Sequence, residues 1–214
     1  MLATMIPSEL KQTERKDLPM SERMPRQLQT TNLIDHACIH LLKTTNFNQL
    51  TIKMILNQAG IARETFYHYY SDKYALLDHI EDQLINQIAF IFTAHQHDGD
   101  NTAPFHEVLN YLYQQRQIVL TLLQCAASQL THKIHRLIMT KIGRQSTLQT
   151  AVTPLAGDVT THLAQELLIT NLLTILKFWL SQPTVATPAV AYTIFIQSRT
   201  LTPADLAKLA QVNW

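Results

Sequence analysis

The chain has 214 residues, of which 46% are hydrophobic, and its formal net charge at pH 7 is +1. This length and hydrophobic content predict a folded globular protein with a sizeable core. The near-neutral balance excludes a protein that is basic throughout, although a local DNA-binding patch remains compatible with it. Because the chain has only four glycines and eight prolines, and little strand-like alternation, an all-α fold is favoured.

The cysteines and the apolar runs indicate the cellular compartment. Cys38 and Cys125 lie far apart on apolar stretches, which is typical of buried, reduced thiols in a cytosolic protein, with a redox-sensing pair as the alternative. No apolar run reaches the ~18 residues that a membrane span needs, and the N-terminus lacks the apolar core of a signal peptide. We therefore expect a cytoplasmic protein that does not enter a membrane.

Residues 1–26 are predicted to form a flexible N-terminal arm. Pro7, Pro19 and Pro25 interrupt any long helix there, and polar residues fill the gaps. Its basic side chains suit DNA phosphates or the minor groove, but acidic residues dilute their charge, so a solvated tail and a DNA-touching arm both stay open. The basic residues are Lys11, Arg15, Lys16, Arg23 and Arg26.

The first firm helix is predicted over residues 27–44, where apolar residues recur on one face. A polar loop anchored by Phe47 follows it. The predicted stripe is Leu33, Ile34, Ala37, Cys38, Leu41 and Leu42.

The stretch from residue 50 to 77 predicts two short helices joined by a tight turn. Thr51 is suited to cap the first helix, and Gly60 supplies a residue that accepts a left-handed backbone at its end. The second helix, at about residues 62–70, is short, aromatic and too polar to be buried on all sides. Two helices joined by a glycine-containing turn are typical of a helix-turn-helix motif.

The run AGIARETFYHYYSDKYALL resembles the DNA-binding signature of the tetracycline-repressor (TetR) family of bacterial regulators. Ala62 stands where a Ser or Thr cap is usual, which costs the helix start ~1 kcal/mol. Tyr70 replaces the usual Phe, a minor change if its hydroxyl reaches water, and core packing is its expected role. The resemblance covers about residues 27–87. The matching residues are Ala59, Gly60, Ile61, Thr65, Phe66, Tyr67, Lys73, Ala75 and Leu76.

This resemblance implies a domain organisation. A three-helix DNA-binding domain would span residues 27–88, with its helix-turn-helix motif at about residues 51–70. A C-terminal helical domain for ligand binding and dimerisation would span residues 89–214. Such a protein is a sequence-specific regulator of transcription.

The second helix of the motif is the expected recognition helix, with its first residues against base edges in the major groove. Arg63 is the best candidate for direct readout, since its planar fork can bond guanine at two points. Glu64 can accept from cytosine, and Thr65 can contact a thymine methyl group.

Other side chains are candidates for contacts with the phosphate backbone. Tyr67, His68 and Lys73 match positions that hold phosphates in the family, which the resemblance carries over to this chain. Thr51 and Lys53, at the start of the preceding helix, can clamp a phosphate through helix-end N–H groups and the ammonium group.

The next helix is predicted over residues 73–95, capped by Ser71 or Asp72. In the family, this helix links the two domains, and its shift changes the separation of the recognition helices in a dimer. Further helices are predicted over residues 104–130 and 130–144. The second of these carries an outward basic face that either is solvated or binds an anion: His132, Lys133, His135, Arg136, Lys141 and Arg144.

A helix over residues 158–181 is apolar nearly all round, so it must be buried on several sides. TetR-like proteins dimerise through a four-helix bundle of their last helices, which implies a homodimer through residues 158–181 and 188–199. A last helix is predicted from Thr202. The run ILKFWL before a Pro-started helix is similar to TetR-type regulators of dihydroxyacetone kinase operons, and regulators of that type can act as activators.

The leading hypothesis is therefore a homodimeric repressor that binds a palindromic operator and responds to an unidentified small-molecule effector; an activator is the alternative. No cofactor is expected. The effector site is unknown, and core packing competes with ligand binding for each aromatic or thiol candidate. These candidates are Tyr111, Tyr113, Cys125, Phe178 and Trp179.

A different class of function is a helical metal-dependent enzyme that uses the C-terminal histidines. His95 and His97 lie beside Asp98 and Asp100, but two histidines in a loop without a cysteine are a weak zinc signal, and a polar surface loop is preferred. No nucleophile elbow or phosphate loop is present, so we predict neither catalytic residues nor metal ligands. A helical interaction module that has lost DNA binding is a third hypothesis.

Overall fold

The computed structural model describes residues 26–95, 102–145, 157–198 and 205. Within these ranges the chain forms nine α-helices and no strand, which confirms the all-α prediction. The helices are α1 (Arg26–Leu42), α2 (Ile52–Ala59), α3 (Arg63–Tyr69), α4 (Lys73–Ala94), α5 (Ala103–Gln114), α6 (Arg116–Gln124), α7 (Leu130–Gln145), α8 (Gly157–Ser181) and α9 (Pro188–Ser198).

Some predictions concern segments outside the described residues. These are the N-terminal arm with its basic side chains, the loop with His97, Asp98 and Asp100, and the last helix from Thr202.

Helix α1 lies at the junction of the molecule, because it packs against α2, α4 and α6. Ile34, Cys38 and Ile39 are buried in the core, whereas Leu33 is 53% exposed. The predicted stripe was therefore wrong at Leu33, and Ile39, which it did not include, is part of the core.

Helix α4 is the longest element that links the N-terminal and C-terminal helices. Asp72 Oδ1 accepts hydrogen bonds from the backbone N–H groups of Tyr74 and Ala75, each at 2.8 Å, so the predicted cap is confirmed. The helix packs against α1, α5 and α7. Its buried residues are Leu76, Leu77, Ile80, Glu81, Leu84, Ile88 and Ile91.

The single helix predicted over residues 104–130 is wrong, because the chain breaks at Gln115 and again after Gln124. The Arg116 guanidinium donates to the backbone carbonyls of Leu180 and Gln182, each at 2.7 Å. This satisfies free carbonyl groups at the end of α8. The break lets α5 pack on α4 and α9 while α6 packs on α1 and α8.

The predicted outward position of Lys133 is also wrong. Lys133 is buried between α7 and α4, where its ammonium group contacts the carboxylates of Asp78, Glu81 and Asp82. Burial lowers the pKa of Lys133, but the hydrogen bonds to these carboxylates outweigh that effect and raise it. We call these four residues the Lys133 clamp.

The last two helices keep apolar side chains on the outside of a single chain. Leu167 and Phe178 on α8 are 63% and 65% exposed, and Val190 and Ile194 on α9 are also exposed. Leu176 and Leu180, on another face of α8, are buried in the core. The expectation that α8 is buried on several sides is therefore not met within one subunit.

The apolar character of α8 also raises the question of whether this helix could span a membrane. The stretch Leu163–Ser181 is long and apolar enough to cross a membrane, contrary to the expectation that no run reaches this length. A single helix of this kind is weak support for a span, because core helices of soluble proteins have the same length and composition.

We expect a thiol-alkylating reagent at about pH 8 to modify Cys125 well before Cys38, because only thiolates react. Burial, with smaller effects of Asp35 and Cys125, raises the pKa of the Cys38 thiol to about 12. Cys125 is only partly buried. Mass spectrometry of digested protein measures both rates. Equal rates in the folded protein would contradict the buried position of Cys38, and urea-unfolded protein is the control.

Candidate nucleic-acid interface

The turn between α2 and α3 is built as the sequence predicts. Thr51 Oγ1 accepts a hydrogen bond of 3.3 Å from the Met54 N–H at the start of α2. Gly60 ends the helix with a left-handed backbone, φ 66°, and its N–H donates to Leu56 O at 2.9 Å. A side chain at this φ is strained, so glycine is what lets the chain turn here.

Helix α3 is held to the core by one side. Phe66 has no exposed surface, and its ring packs edge-on against Tyr67, with 5.6 Å between the ring centroids. Ala62 precedes the helix without a side-chain cap, as expected. Because the helix is short and lacks this cap, the burial of Phe66 must contribute most of its stability.

The other side of α3 faces outward. Arg63, Glu64, Tyr67 and His68 are exposed, and Thr65 is partly buried. The Arg63 guanidinium lies over the Tyr67 ring, 5.4 Å from its centroid, a cation–π contact that orients the arginine. The structure thus brings four of the predicted contact residues, Arg63, Glu64, Tyr67 and His68, together on the exposed side of α3.

At the start of α2, Thr51 and Lys53 are exposed as well. The Thr51 hydroxyl already accepts from Met54 N–H, but it retains a proton that it can donate. Both residues lie on the element that precedes the turn into α3, so their predicted phosphate contacts remain sterically open.

Lys73 has a structural role that sequence reasoning missed. Its ammonium group donates to the backbone carbonyls of Phe47 at 2.7 Å and Leu50 at 2.8 Å, and it lies 4.7 Å from the centroid of the Phe47 ring. The first residue of α4 is thereby attached to the loop that leads into α2. Its predicted phosphate contact has no support in this geometry.

Tyr70 is buried, as expected, and its hydroxyl has a partner inside the protein. It donates to Asp35 Oδ1 at 3.2 Å, and the Gln83 amide donates to Asp35 Oδ2, also at 3.2 Å. Burial raises the pKa of Asp35, while the nearby His79 and these hydrogen bonds act in the opposite direction. The tyrosine hydroxyl therefore satisfies a buried carboxyl group on α1, a partner 35 residues away that local sequence patterns do not reveal.

The C-terminal candidates for an effector site do not converge. Phe178 points outward, whereas Trp179 is buried, donates through Nε1 to Ala186 O at 2.8 Å, and stacks on Tyr113. Tyr111 and Cys125 are partly buried against the core. A shallow cleft of about 420 Å³ lies elsewhere, between α1, α3 and α4, lined by Gln27, Leu28, Thr31, Tyr69, Tyr70 and His79.

The metal-site hypothesis can be compared with the same geometry. Within residues 26–95, 102–145, 157–198 and 205, no group of three or more His, Cys, Asp or Glu side chains is arranged to hold a metal ion. His95 Nε2 lies 2.7 Å from Glu107 Oε2 and joins α4 to α5.

Residues 34–80 match the family model described as bacterial regulatory proteins of the tetR family. The match covers the second half of α1, the whole of α2 and α3 with the turn between them, and the start of α4. Residues 34–80 form a TetR-type DNA-binding domain. The resemblance carried by the signature run is therefore confirmed. A comparison with curated protein sequences gives no match.

Solved structures extend the likeness to the fold of the whole chain. A TetR transcriptional regulator from Streptococcus agalactiae is 18% identical, with a TM-score of 0.61 over 81% of this chain and 94% of that one. NalD from Pseudomonas aeruginosa, the secondary repressor of the MexAB-OprM efflux pump, is 16% identical, with a TM-score of 0.55 over 82% and 95%.

The dihydroxyacetone kinase operon activator DhaS shares the fold at 16% identity, with a TM-score of 0.51 over 87% of this chain and 99% of DhaS. The similarity expected for the C-terminal segment is thus confirmed at the level of the fold. A helical TetR-type domain followed by C-terminal helices is the architecture of this protein.

Substitutions of Lys73 and Lys53 should distinguish an effect on stability from an effect on DNA binding. We expect Lys73→Met to lower the free energy of unfolding by about 1–3 kcal/mol, because the Phe47 and Leu50 carbonyls lose their donor. Lys53→Met, on an exposed residue, should change stability by less than about 0.5 kcal/mol and weaken DNA binding. Urea unfolding followed by circular dichroism measures the first effect. Equal destabilisation by both substitutions would contradict the assignment.

Proposed function

We propose that this protein is a homodimeric transcriptional repressor whose affinity for operator DNA is controlled by a small molecule bound among the C-terminal helices. In this proposal, residues 27–88 are the DNA-binding domain and residues 89–214 are the regulatory and dimerisation domain. The protein acts in the cytoplasm.

One observation carries the proposal. Helix α3 buries Phe66 completely while Arg63, Glu64, Tyr67 and His68 stay exposed on its other side. A short helix fixed by one buried ring and covered outside with hydrogen-bonding groups is suited to the major groove, whose base edges offer donors and acceptors.

The exposed residues divide by chemistry. Arg63 bonds guanine, Glu64 accepts from cytosine, and Thr65 contacts a thymine methyl group. Tyr67 and His68 hold phosphates together with Thr51 and Lys53, which sets the register of the helix on the duplex. We assign Lys73 to the attachment of α4 rather than to phosphate, because its ammonium group is bonded to the loop before α2.

The outer apolar faces of α8 and α9 support the homodimer. Leu167, Phe178, Val190 and Ile194 are exposed in the single chain, and two copies of this surface bury each other in a symmetric contact. A dimer places two α3 helices on the two half-sites of a palindrome.

We favour repression over activation because repression requires fewer molecular contacts. NalD is a repressor and DhaS an activator, and both share this fold, so the fold is compatible with either role. Repression needs only that the operator be occupied, whereas activation also needs a favourable contact with the transcription machinery. An effector changes the affinity for DNA if it binds the protein more tightly when α4 is in one of two positions than when α4 is in the other.

We expect the wild-type protein to bind duplexes selected from a random pool far more tightly than unselected duplexes, with an affinity that falls as salt rises. Arg63→Ala should weaken specific binding by about tenfold or more, because one bidentate contact contributes about 1–3 kcal/mol of discrimination. Fluorescence anisotropy across a salt series measures both effects.

The matched control is Arg136→Ala, which removes the same charge from an exposed position on α7. It should leave specific binding nearly unchanged. If the selected duplexes bind no better than random DNA, or if both variants lose affinity equally, the proposed recognition helix is refuted.

We expect Leu167→Glu to dissociate the dimer, since it places a charge in the apolar contact between subunits. Light scattering after size exclusion should then report the mass of one chain, 24.5 kDa. Phe90→Glu is the control, because Phe90 is equally exposed, at 65%, but lies on α4. Dissociation by both variants, or by neither, would contradict the proposed interface.

A further inference from the structure

The Lys133 clamp joins α7 to α4 through a buried centre and an exposed rim. At the centre, Lys133 Nζ lies 3.3 Å from Glu81 Oε2, and these side chains are 7% and 2% exposed. At the rim, Asp82 Oδ1 lies 2.7 Å from Nζ, and the Asp78 carboxylate also accepts from it. The two rim side chains are 51% and 63% exposed.

Glu81 makes a second connection to the same helix. Its Oε1 accepts a hydrogen bond of 2.9 Å from the backbone N–H of Gln129, the residue just before α7. One buried carboxylate of α4 therefore binds both the start of α7 and a side chain in its first turn. Because a buried charge that loses its partner is strongly destabilising, this attachment is firm.

The attachment of α4 to the loop before α2 lies only a short distance along the helix from the Lys133 clamp. Lys73, the first residue of α4, bonds the Phe47 and Leu50 carbonyls before α2. At 1.5 Å per residue, the clamp residues lie about 8–14 Å farther along the helix. Helix α4 contains neither glycine nor proline, so a displacement at the clamp is carried to the loop that leads into α2.

We propose that the Lys133 clamp is the joint through which the C-terminal helices set the position of α4 relative to α2 and α3. Its consequence for DNA affinity rests on the proposed function, whereas the mechanical connection does not. Asp78 and Asp82 act through α4, so they are positioning residues.

The spacing of the rim carboxylates explains how the joint moves without breaking. Asp78 and Asp82 are one helical turn apart, about 6 Å along the axis. The Lys133 ammonium group can strengthen its hydrogen bond to one of these two carboxylates and lose its hydrogen bond to the other, while it keeps its contact with the Glu81 carboxylate. The exposed carboxylate that is released regains water, so this exchange of partners leaves no buried charge unpaired.

The first test is hydrogen–deuterium exchange of the full-length Asp78→Asn/Asp82→Asn variant, without DNA. We expect faster exchange at residues 129–134, where α7 begins, and also at residues 47–52, which include the carbonyls that Lys73 bonds before α2. The control is Glu107→Gln/Glu166→Gln, which removes two charges and the carboxylates that face His95 and His135 but leaves the clamp intact. It should leave residues 47–52 unchanged.

These outcomes distinguish a contact that transmits displacement along α4 from a contact that only stabilises its own surroundings. If exchange rises only at the start of α7 and in the middle of α4, the clamp is merely structural and the proposal fails. The proposal also fails if neither segment responds, or if the control variant accelerates residues 47–52 to the same degree. Intact circular dichroism spectra ensure that the comparison is between folded proteins.

The second test measures DNA affinity with the selected duplexes. The rim variant should differ from wild type by about fivefold or more, the range of typical coupling between sites, with an unchanged salt slope because the phosphate contacts are the same. An equal change in the control variant would mean a charge effect and overturn the proposal. A wild type that binds no specific DNA refutes the proposed function instead, and the exchange experiment still decides the joint.

Discussion

The start of α4 is the constraint on which the rest of the molecule depends. Asp72 caps the helix through two backbone N–H groups, and Lys73 beside it bonds two carbonyls of the loop before α2. These two adjacent residues thus satisfy backbone N–H groups at the start of α4 and backbone carbonyl groups that precede α2. This junction fixes α4 to the loop that leads into α2, and α3 follows α2 after the turn at Gly60.

Local patterns predicted the elements of the DNA-binding half well. Thr51, Gly60 and Asp72 act as caps or turn residues because each effect depends on backbone groups only a few residues away. The same locality explains why the exposed face of α3 could be predicted, since Arg63 and Tyr67 share one face of one short helix. The contacts of these side chains with bases and phosphates belong to the proposed function.

Long-range partners account for what sequence reasoning missed. Lys133 has the spacing of a surface residue, and only three carboxylates 51 to 55 residues earlier make its burial favourable. Tyr70 was expected to pack in the core, but the acceptor of its hydroxyl, Asp35, could not be predicted because it lies on another helix. The break at Gln115 depends likewise on the end of α8. Helical periodicity contains no information about which charges from distant segments will meet.

The exposed apolar faces of α8 and α9 have a consequence for how long the protein persists. Under the proposed dimer, association stabilises the folded chain by mass action, so its resistance to unfolding rises with its own concentration. Newly made chains at low abundance would spend more time as single subunits with these faces open to proteases and to aggregation. The number of copies in a cell would then influence the lifetime of each one.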